Sequence, residues 1–386
     1  MPAGNDPLPP APSPALVYDG RIGELYGIFL PNLLLTIITF GFYRFWAITR
    51  LRRYVWSHMR FQNERFEYTG TGVELFLGFI LAMAIIIGLM MVFGLLSAGA
   101  ALIARPLIVL PIVLLYVTIP ILALAAIFSA QRYRLSRTLW RGIRGGMRGS
   151  AIRYGVRAFF YLLLSLLTFL QLTPWTTLRL IERRLNASGF GDLRFACAGR
   201  ARRIYLPFLA QFVVFVVLEA IFAVLVFRYF RLSVPHVGPI IHVSDPTVAP
   251  PPRLPSPLPG GMLDMLPIVL VTGLFAIGIV VGLVRAFYLA ALAREVAGNT
   301  CLGPLCFLSS IGGFAILRFI LGNLAILIFT LGLGYPIVIH RAARLLARNL
   351  AVIGMIDPDT LRQNTAPASA LGEGMFQVLD SGGGLL

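Results

Sequence analysis

"RFEYTGTGVELF", residues 65–76, stands between an arginine-rich run and a long, almost purely apolar stretch. A Gly-x-Gly turn with two threonines and a carboxylate, beside basic residues, has the makings of a phosphate cradle. It also has the makings of a doorstep to a membrane helix. The first reading leads to an enzyme and the second to a membrane device. A phosphate loop follows a buried strand and carries a lysine; this stretch has no lysine, and no buried strand is read before it.

Composition points the same way. The 386 residues are 58% hydrophobic and 13% charged, with a mean hydropathy of +0.83, against about 25% charged in soluble domains. Apolar runs recur near 24–42, 74–98, 107–130, 158–178, 204–230, 266–292 and 314–339, each a candidate for a bilayer core about 30 Å thick. The chain reads as an all-α polytopic membrane protein with four to seven spanning helices. Its net charge of +17 comes entirely from arginine, which removes any Schiff-base or Walker lysine. These arginines cluster at the ends of apolar runs, the topogenic pattern of membrane proteins, so no nucleic-acid partner is expected. Three cysteines, Cys197, Cys301 and Cys306, are too few for a disulfide framework; the last two read as small apolar fillers beside a membrane face.

Internal similarity organises the chain. "YDGRIGELYGIF" from Tyr18 and "YTGTGVELFLGF" from Tyr68 share Tyr, Gly, Glu, Leu and Phe at a constant offset of 50, bringing Gly20 onto Gly70 and Glu24 onto Glu74. "FACAGRARRIYLPF" from Phe195 follows at an offset of 129, with Arg203 in place of the acid. A second cassette, "NLLLTIITFGFYRFWAITRLRR" from Asn32, matches "NLAILIFTLGLGYPIVIHRAAR" from Asn323 at an offset of 291. Thr39 and Gly41 fall on Thr330 and Gly332, and Arg50 and Arg53 on Arg341 and Arg344. A middle version, from Tyr161, keeps Thr168, Trp175 and Arg179. About two and a half repeats follow: 17–130, 131–292 with a proline-rich extramembrane loop at 231–265, and a partial 293–356. Residues 1–16 are proline-rich without a basic leader and read as a disordered tail, 357–386 as a second flexible one.

On a helical wheel Trp46, Arg50, Arg53, Ser57 and Arg60 share one side, with Ile48, Leu51, Val55 and Met59 opposite. That is an interfacial helix with Arg50, Arg53 and Arg60 toward anionic lipid; a plain positive-inside anchor fits as well. The segment "LPNLLLTIITFGFYRFWAITRLRRYVWSHMRFQNERFEYTGTGVELFLGF" resembles the bacterial YjgN-like inner-membrane family, a domain of unknown function. "RLSRTLWRGIRGGMRGSAIRYGVRAFF" and "LGLGYPIVIHRAARLLARNLAVIG" resemble its later segments, so the likeness covers roughly residues 15–356. It implies an inner-membrane location and no particular chemistry, the family having no established activity. "FLQLTPW" departs from the pattern by lacking the glycine after Thr168, which suggests a different turn there.

The positive-inside rule then meets a difficulty. Residues 44–73 carry six arginines, 131–157 eight, and 179–203 seven. Segment 158–178 therefore has heavy positive charge at both ends, and crossing would leave one of those loops outside against the rule. The preferred arrangement makes the Asn/Thr/Gly segments re-entrant, with four helices spanning (74–98, 107–130, 204–230, 266–292) and every arginine-rich loop cytoplasmic. Its rival has seven spans in inverted orientation, as in some transporters.

Catalytic constellations are missing. The four histidines are scattered, no nucleophile motif occurs, and the sequence asks for no cofactor and no metal. His236 and His242 read as solvated rather than metal-binding. Two ionisable residues inside apolar runs stand out. Glu219, in "FVVFVVLEAIFAVLVF", is a functional candidate because an intramembrane carboxylate costs a few kcal/mol. Arg285 is its counterpart on the next run, set about 10 Å deeper by the rise per residue, so that it either pairs after a helix shift or snorkels to the surface. Glu24, Asn32, Thr39, Gly41, Gly70, Gly72, Glu74, Asn323, Thr330 and Gly332 form the recurring motif, with the glutamates read as helix starts and arginine partners more readily than as ion ligands. The expectation is a non-enzymatic membrane protein passing a small solute or ion; the alternative is an envelope scaffold binding anionic lipid or protein through its arginines. The expected partners are the bilayer and its anionic lipids, with homo-oligomerisation open.

Overall fold

The computed structural model describes residues 16–233, 265–356 and 361–363. The stretches read as tails and the proline-rich loop, with His236 and His242, lie almost wholly outside the described residues. The expected helical membrane architecture is present, 71% helical, and it is threaded through a sheet that the sequence reading passed over.

Among the described residues, helix pairs and strands alternate in one order. Between β1 (Leu16–Tyr18) and β2 (Met59–Phe61) stand α1 (Ile22–Ile38) and α2 (Arg44–Ser57). Between β3 (Glu64–Tyr68) and β4 (Thr138–Trp140) stand α3 (Gly72–Ile103) and α4 (Val109–Ser136). α5 (Ala151–Leu167) and α6 (Thr173–Ala187) separate β5 (Ile143–Met147) from β6 (Ser188–Phe190). α7 (Arg202–Ser233) and α8 (Leu266–Gly298) separate β7 (Leu193–Cys197) from β8 (Thr300–Leu302). α9 (Gly313–Phe329) and α10 (Tyr335–Asn349) stand between β9 (Leu305–Ser309) and β10 (Leu350–Ile353).

The ten strands form one antiparallel meander in chain order, nearly closed into a barrel. Two-residue loops make its four hairpins, each with left-handed backbone of the kind that matches strand twist: Gln62 and Asn63, Arg141 and Gly142, then Gly191 and Gly303 at the first loop position. Leu302, Leu305, Val352 and Ile356 fill the middle with Phe61, Phe190 and Phe195 around them. Arg362 and Gln363 bind at the hairpin ends, Arg362 N donating to Asp192 Oδ1 at 3.3 Å and Gln363 Nε2 to the Gly142 carbonyl at 3.1 Å. Cys301 and Cys306 are not simple fillers: they face each other across β8 and β9 and are joined in a disulfide.

This sheet decides the topology. β5 and β6 are hydrogen-bonded neighbours, Gly146 opposite Gly189, so the arginine-rich loops 131–157 and 179–203 lie on one face. The seven-span arrangement, which put them on opposite faces, is therefore excluded. Among the described residues, four helices are long and apolar enough to cross a bilayer: Gly72–Ile103, Arg105–Ser136, Arg202–Tyr229 and Leu266–Gly298. They are the four named by the preferred reading.

The other three pairs leave the sheet and return to it. α1, α5 and α9 are 17 residues each, about 25 Å long, and each ends in the same reversal. Gly41 N donates to Thr36 O at 2.7 Å, Leu170 N to Ser165 O at 2.6 Å and Gly332 N to Leu327 O at 2.8 Å, the long bond of a Schellman end. The threonine hydroxyl then accepts from the backbone four residues on, Tyr43 N to Thr39 Oγ1 at 3.0 Å and Gly334 N to Thr330 Oγ1 at 2.7 Å. The middle turn does not differ, contrary to the expectation from its missing glycine. Leu170 adopts φ +67° where Gly41 has +91°, accepting the left-handed cost of about 1–2 kcal/mol for an L residue. The tips expose Phe40, Phe169 and Leu331 at 95%, 83% and 91%, surfaces that belong in hydrocarbon.

The first and last helix pairs meet and close the ring. Leu51, Tyr54 and Val55 of α2 are buried with Leu25 of α1 and Ile339 and Ala343 of α10. His340 sets its ring edge-on to Tyr18, centroids 5.4 Å apart.

Candidate functional site

The doorstep stretch has a structural explanation. β3 does precede it, but three of its five residues are exposed. The Tyr68 ring folds back over Gly70, whose added Cβ would sit 2.6 Å from the ring, and Gly72 lies under Trp46 at 2.7 Å. Tyr18 covers Gly20 in the same way. Thr71 and Glu74 form a capping box for α3, each accepting from the other's backbone N–H at 3.3 Å. The glycines serve close packing, and the Thr71 and Glu74 amides are already used by the helix start.

The glutamates are partners of residues on the returning helix. Glu24 accepts from Tyr54 OH at 2.8 Å and lies 3.6 Å from His58 Nε2. Glu74 accepts from Tyr133 OH at 2.7 Å and pairs with Arg137 at 2.5 Å. At α7 and α8 the polarity is reversed: Arg203 starts the outgoing helix and Glu295 ends the returning one, 3.5 Å apart. Glu295 is also held by Arg200 N at 2.7 Å and Asn299 Nδ2 at 2.9 Å, and Glu182 by Gly199 N at 2.8 Å. Both are buried carboxylates that the sequence reading missed; the available signal was a lone acid within arginine-rich helix ends. Burial pushes the nearby Cys197 thiol up from its ordinary value.

Glu219 and Arg285 do not meet. A Cβ on Gly273 would strike the Phe222 ring, and Phe208 and Tyr288 are 5.8 Å apart. This register sets Glu219 level with Ala276, about nine residues or 13 Å from Arg285 along the hairpin. Glu219 is half-buried, without an ion pair or hydrogen bond among the described residues, and Arg285 is exposed.

A cleft of about 410 Å³ opens between α1 and α2, lined by Gly27, Pro31, Asn32, Arg50, Arg53 and Tyr54 with their neighbours Ile28 and Ser57. Pro31 has no N–H, so the Gly27 carbonyl lacks its helical donor. Asn32 is buried and oriented by its own helix, Nδ2 donating to the Ile28 carbonyl at 2.6 Å, which leaves Oδ1 to accept from Arg50 at 3.0 Å. Arg50 also lies over the Tyr43 ring at 5.6 Å. Arg53 donates to the Gly70 carbonyl at 3.2 Å. Both guanidiniums are exposed, and each has five N–H donors, so most still point outward.

The expected interfacial role of α2 needs correction. Its apolar side is not laid in the headgroup region but buried inside the protein, with Arg52. Arg60 is not on the helix: it belongs to β2 and its guanidinium is on Asp19, beside Arg65. Arg50 and Arg53 keep their exposed placement. The cleft belongs to the first helix pair. In the last pair Gly322 stands where Pro31 does; Arg341 lies against it and donates to the Arg318 carbonyl at 3.4 Å, leaving Asn323 Oδ1 buried without a partner. In the middle pair Arg179 turns to Glu182 at 2.7 Å.

The profile of a family described as "Bacterial protein of unknown function (DUF898)" matches residues 13–378. The inner membrane protein YjgN of Salmonella typhimurium (strain LT2) is 42% identical over 72 residues, 19% of this chain and 18% of that protein. YjgN of Escherichia coli (strain K12) is 38% identical over 65 residues, 17% of this chain and 16% of that protein. The alignments thus span less than a fifth of the length of these curated relatives. No solved structure matches the chain. With one family profile over nearly its whole length and four helices able to cross a bilayer, the chain belongs to the DUF898 family and is a multi-pass inner-membrane protein.

Proposed function

We propose that this protein is a non-catalytic component of the inner membrane that holds the anionic headgroup of a lipid in the cleft between α1 and α2. The observation that carries the reading is the pair Arg50 and Arg53, exposed beside a buried, oriented Asn32 with no carboxylate among the lining residues. Arginines along an apolar hairpin are costly without an anion, and the guanidinium fork suits phosphate oxygens. The positive-inside rule puts the sheet and its arginine-rich loops in the cytoplasm, where anionic headgroups attract basic residues by about 1 kcal/mol per arginine.

The test is retention of phosphatidylglycerol against phosphatidylcholine by the full chain in nanodiscs, read by mass spectrometry, with free glycerol phosphate as competitor. Arg50→Gln/Arg53→Gln should lower phosphatidylglycerol retention about thirtyfold, the equivalent of about 2 kcal/mol. Equal retention of both lipids, or no effect of the double substitution, rejects the reading; displacement by free glycerol phosphate at matched concentration reassigns the cleft to a soluble anion.

A second reading, passage of a small solute or ion, rests on the unpaired Glu219 in α7. Flux of a proton-coupled reporter in proteoliposomes that survives Glu219→Gln unchanged removes that support.

A further inference from the structure

The elements on either side of the two long hairpins correspond at a fixed spacing. β4, β5, α5 and α6 start 162 residues before β8, β9, α9 and α10, as Thr138 and Thr300 or Thr173 and Tyr335 show. In the earlier set the space between α4, α5 and α6 is closed by Phe128, Leu135, Met147 and Leu180. The corresponding residues of the later set are Ala290, Ala297, Ser309 and Ala342. Four large side chains have four small counterparts. Ala290 is fully buried in packing, but Ala297, Ser309 and Ala342 border an open cavity of about 420 Å³, walled also by residues of α6, β7, α8, β9, α9 and α10.

The wall is apolar where its counterpart is not. Phe319 corresponds to Arg157, and Leu345 and Leu346 to Arg183 and Arg184. The few polar lining groups are already engaged: Thr300 Oγ1 donates to the Val296 carbonyl at 2.6 Å, Asn349 Nδ2 to the Leu345 carbonyl at 2.8 Å, and Ser309 Oγ accepts from Ile311 N at 3.4 Å. Nothing in the lining asks for water, and an apolar cavity of that kind takes an apolar guest. Its size falls within the about 300–1,000 Å³ of ligand pockets. At about 30 Å³ per water-sized group, it holds about 14 methylene-sized groups, one hydrocarbon chain rather than two.

The surroundings are basic. Arg294 next to the wall residue Ala293 donates to the Ile311 carbonyl at 2.6 Å, and Arg341 lies over Phe319 at 5.7 Å. Arg318 is exposed one residue from Phe319. The carboxylate on this stretch of α8, Glu295, is turned to Arg200 and Arg203 instead.

We infer that this cavity binds one acyl chain of an anionic membrane phospholipid, with its headgroup among Arg294, Arg318 and Arg341. The site is separate from the cleft between α1 and α2 and stands without it.

The test uses the full chain in phosphatidylcholine vesicles doped with phosphatidylglycerol carrying a photoreactive group on one acyl chain, the adducts being mapped by mass spectrometry. Saturable labelling is expected on the cavity walls at Ala293–Ala297 or Ala342–Leu346. Ala297→Leu/Ala342→Leu, which supplies the side chains of Leu135 and Leu180, should reduce it more than about tenfold, whereas Arg50→Gln/Arg53→Gln should leave it unchanged. Should the filled variant fail to fold, Arg294→Gln/Arg341→Gln serves in its place and should abolish preference over a photoreactive phosphatidylcholine. Labelling that survives Ala297→Leu/Ala342→Leu, or a preference for the anionic lipid that survives Arg294→Gln/Arg341→Gln, overturns the inference. So does equal labelling by the two lipids, or labelling that appears only after removal of residues 364–386, since the cavity would then hold the chain's own terminus.

Discussion

Reversing the Glu74–Arg137 pair tests whether the long hairpins are pinned by charge at their base. The two side chains are about three-quarters buried, 26% and 22% exposed, with a contact of 2.5 Å. At charge centres about 4 Å apart and an effective dielectric near 20, the attraction is about 4 kcal/mol. Desolvation of both groups offsets roughly half, leaving about 2 kcal/mol net. Glu74→Arg forfeits that, breaks the capping box worth about 1 kcal/mol, and places two guanidiniums together. A loss of about 4 kcal/mol is therefore expected. Glu74→Arg/Arg137→Glu recreates the polarity found at Arg203 and Glu295 and should recover about 2 kcal/mol, the lost cap and an arginine at a helix N-terminus keeping the rescue partial. Equilibrium unfolding of the full chain in mixed micelles, arranged as a double-mutant cycle, measures this. A double variant no more stable than Glu74→Arg alone would refute the reasoning.

Other consequences follow from packing and burial. Gly155 of α5 leans on α4 so closely that an added Cβ would land on the Ile121 carbonyl, with Ala125 Cβ 2.9 Å away; Gly155→Ala should cost about 1–3 kcal/mol, read in the same unfolding assay. Gly41→Val forces a β-branched residue to φ +91° and should destabilise by more than the about 1–2 kcal/mol borne by Leu170, whereas the same change at Gly23, whose Cβ meets nothing within 4 Å, should not carry that penalty. Burial, then Arg344, hold His340 below its ordinary value of 6.5. The neutral imidazole therefore contributes stability that is complete above that pH and lost as pH falls through the lower folded value. Melting should drop on acidification between those limits, and His340→Gln should flatten the profile.

Much of the architecture was legible in the chain. Lipid rewards long apolar runs regardless of their neighbours, so seven candidate runs could be read locally, and charge counting at their ends favoured four of them as spans with re-entry of the segments before Thr39, Thr168 and Thr330. The sheet was not legible. Its strands are 3–5 residues long, too short for a period, and their arginines read as topogenic charge. The signals that were present were local: two-residue turns such as Gln62–Asn63 and Gly303–Pro304, and the Thr71–Glu74 capping box inside the membrane-entry stretch 65–76.

The candidate site divides in the same way. Arg50 and Arg53 could be placed on one face from spacing, while Arg60 could not, because α2 ends at Ser57 and a wheel continued past a helix end has no meaning. Whether α2 turned its apolar side to lipid or protein depended on α10, almost 300 residues later. The separation of Glu219 from Arg285 depended on the register of two helices. Composition and hydropathy determined that this chain lives in a membrane, and left between four and seven of its apolar runs as candidate crossings. Tertiary structure alone decided that every helix pair leaves and re-enters one common sheet. It also decided which arginines remained exposed beside an oriented asparagine, and that three small residues, Ala297, Ser309 and Ala342, border a chain-sized cavity. Burial energy depends on a residue's own surface and can be read locally, whereas pairing and cavity shape depend on partners that only the fold brings together.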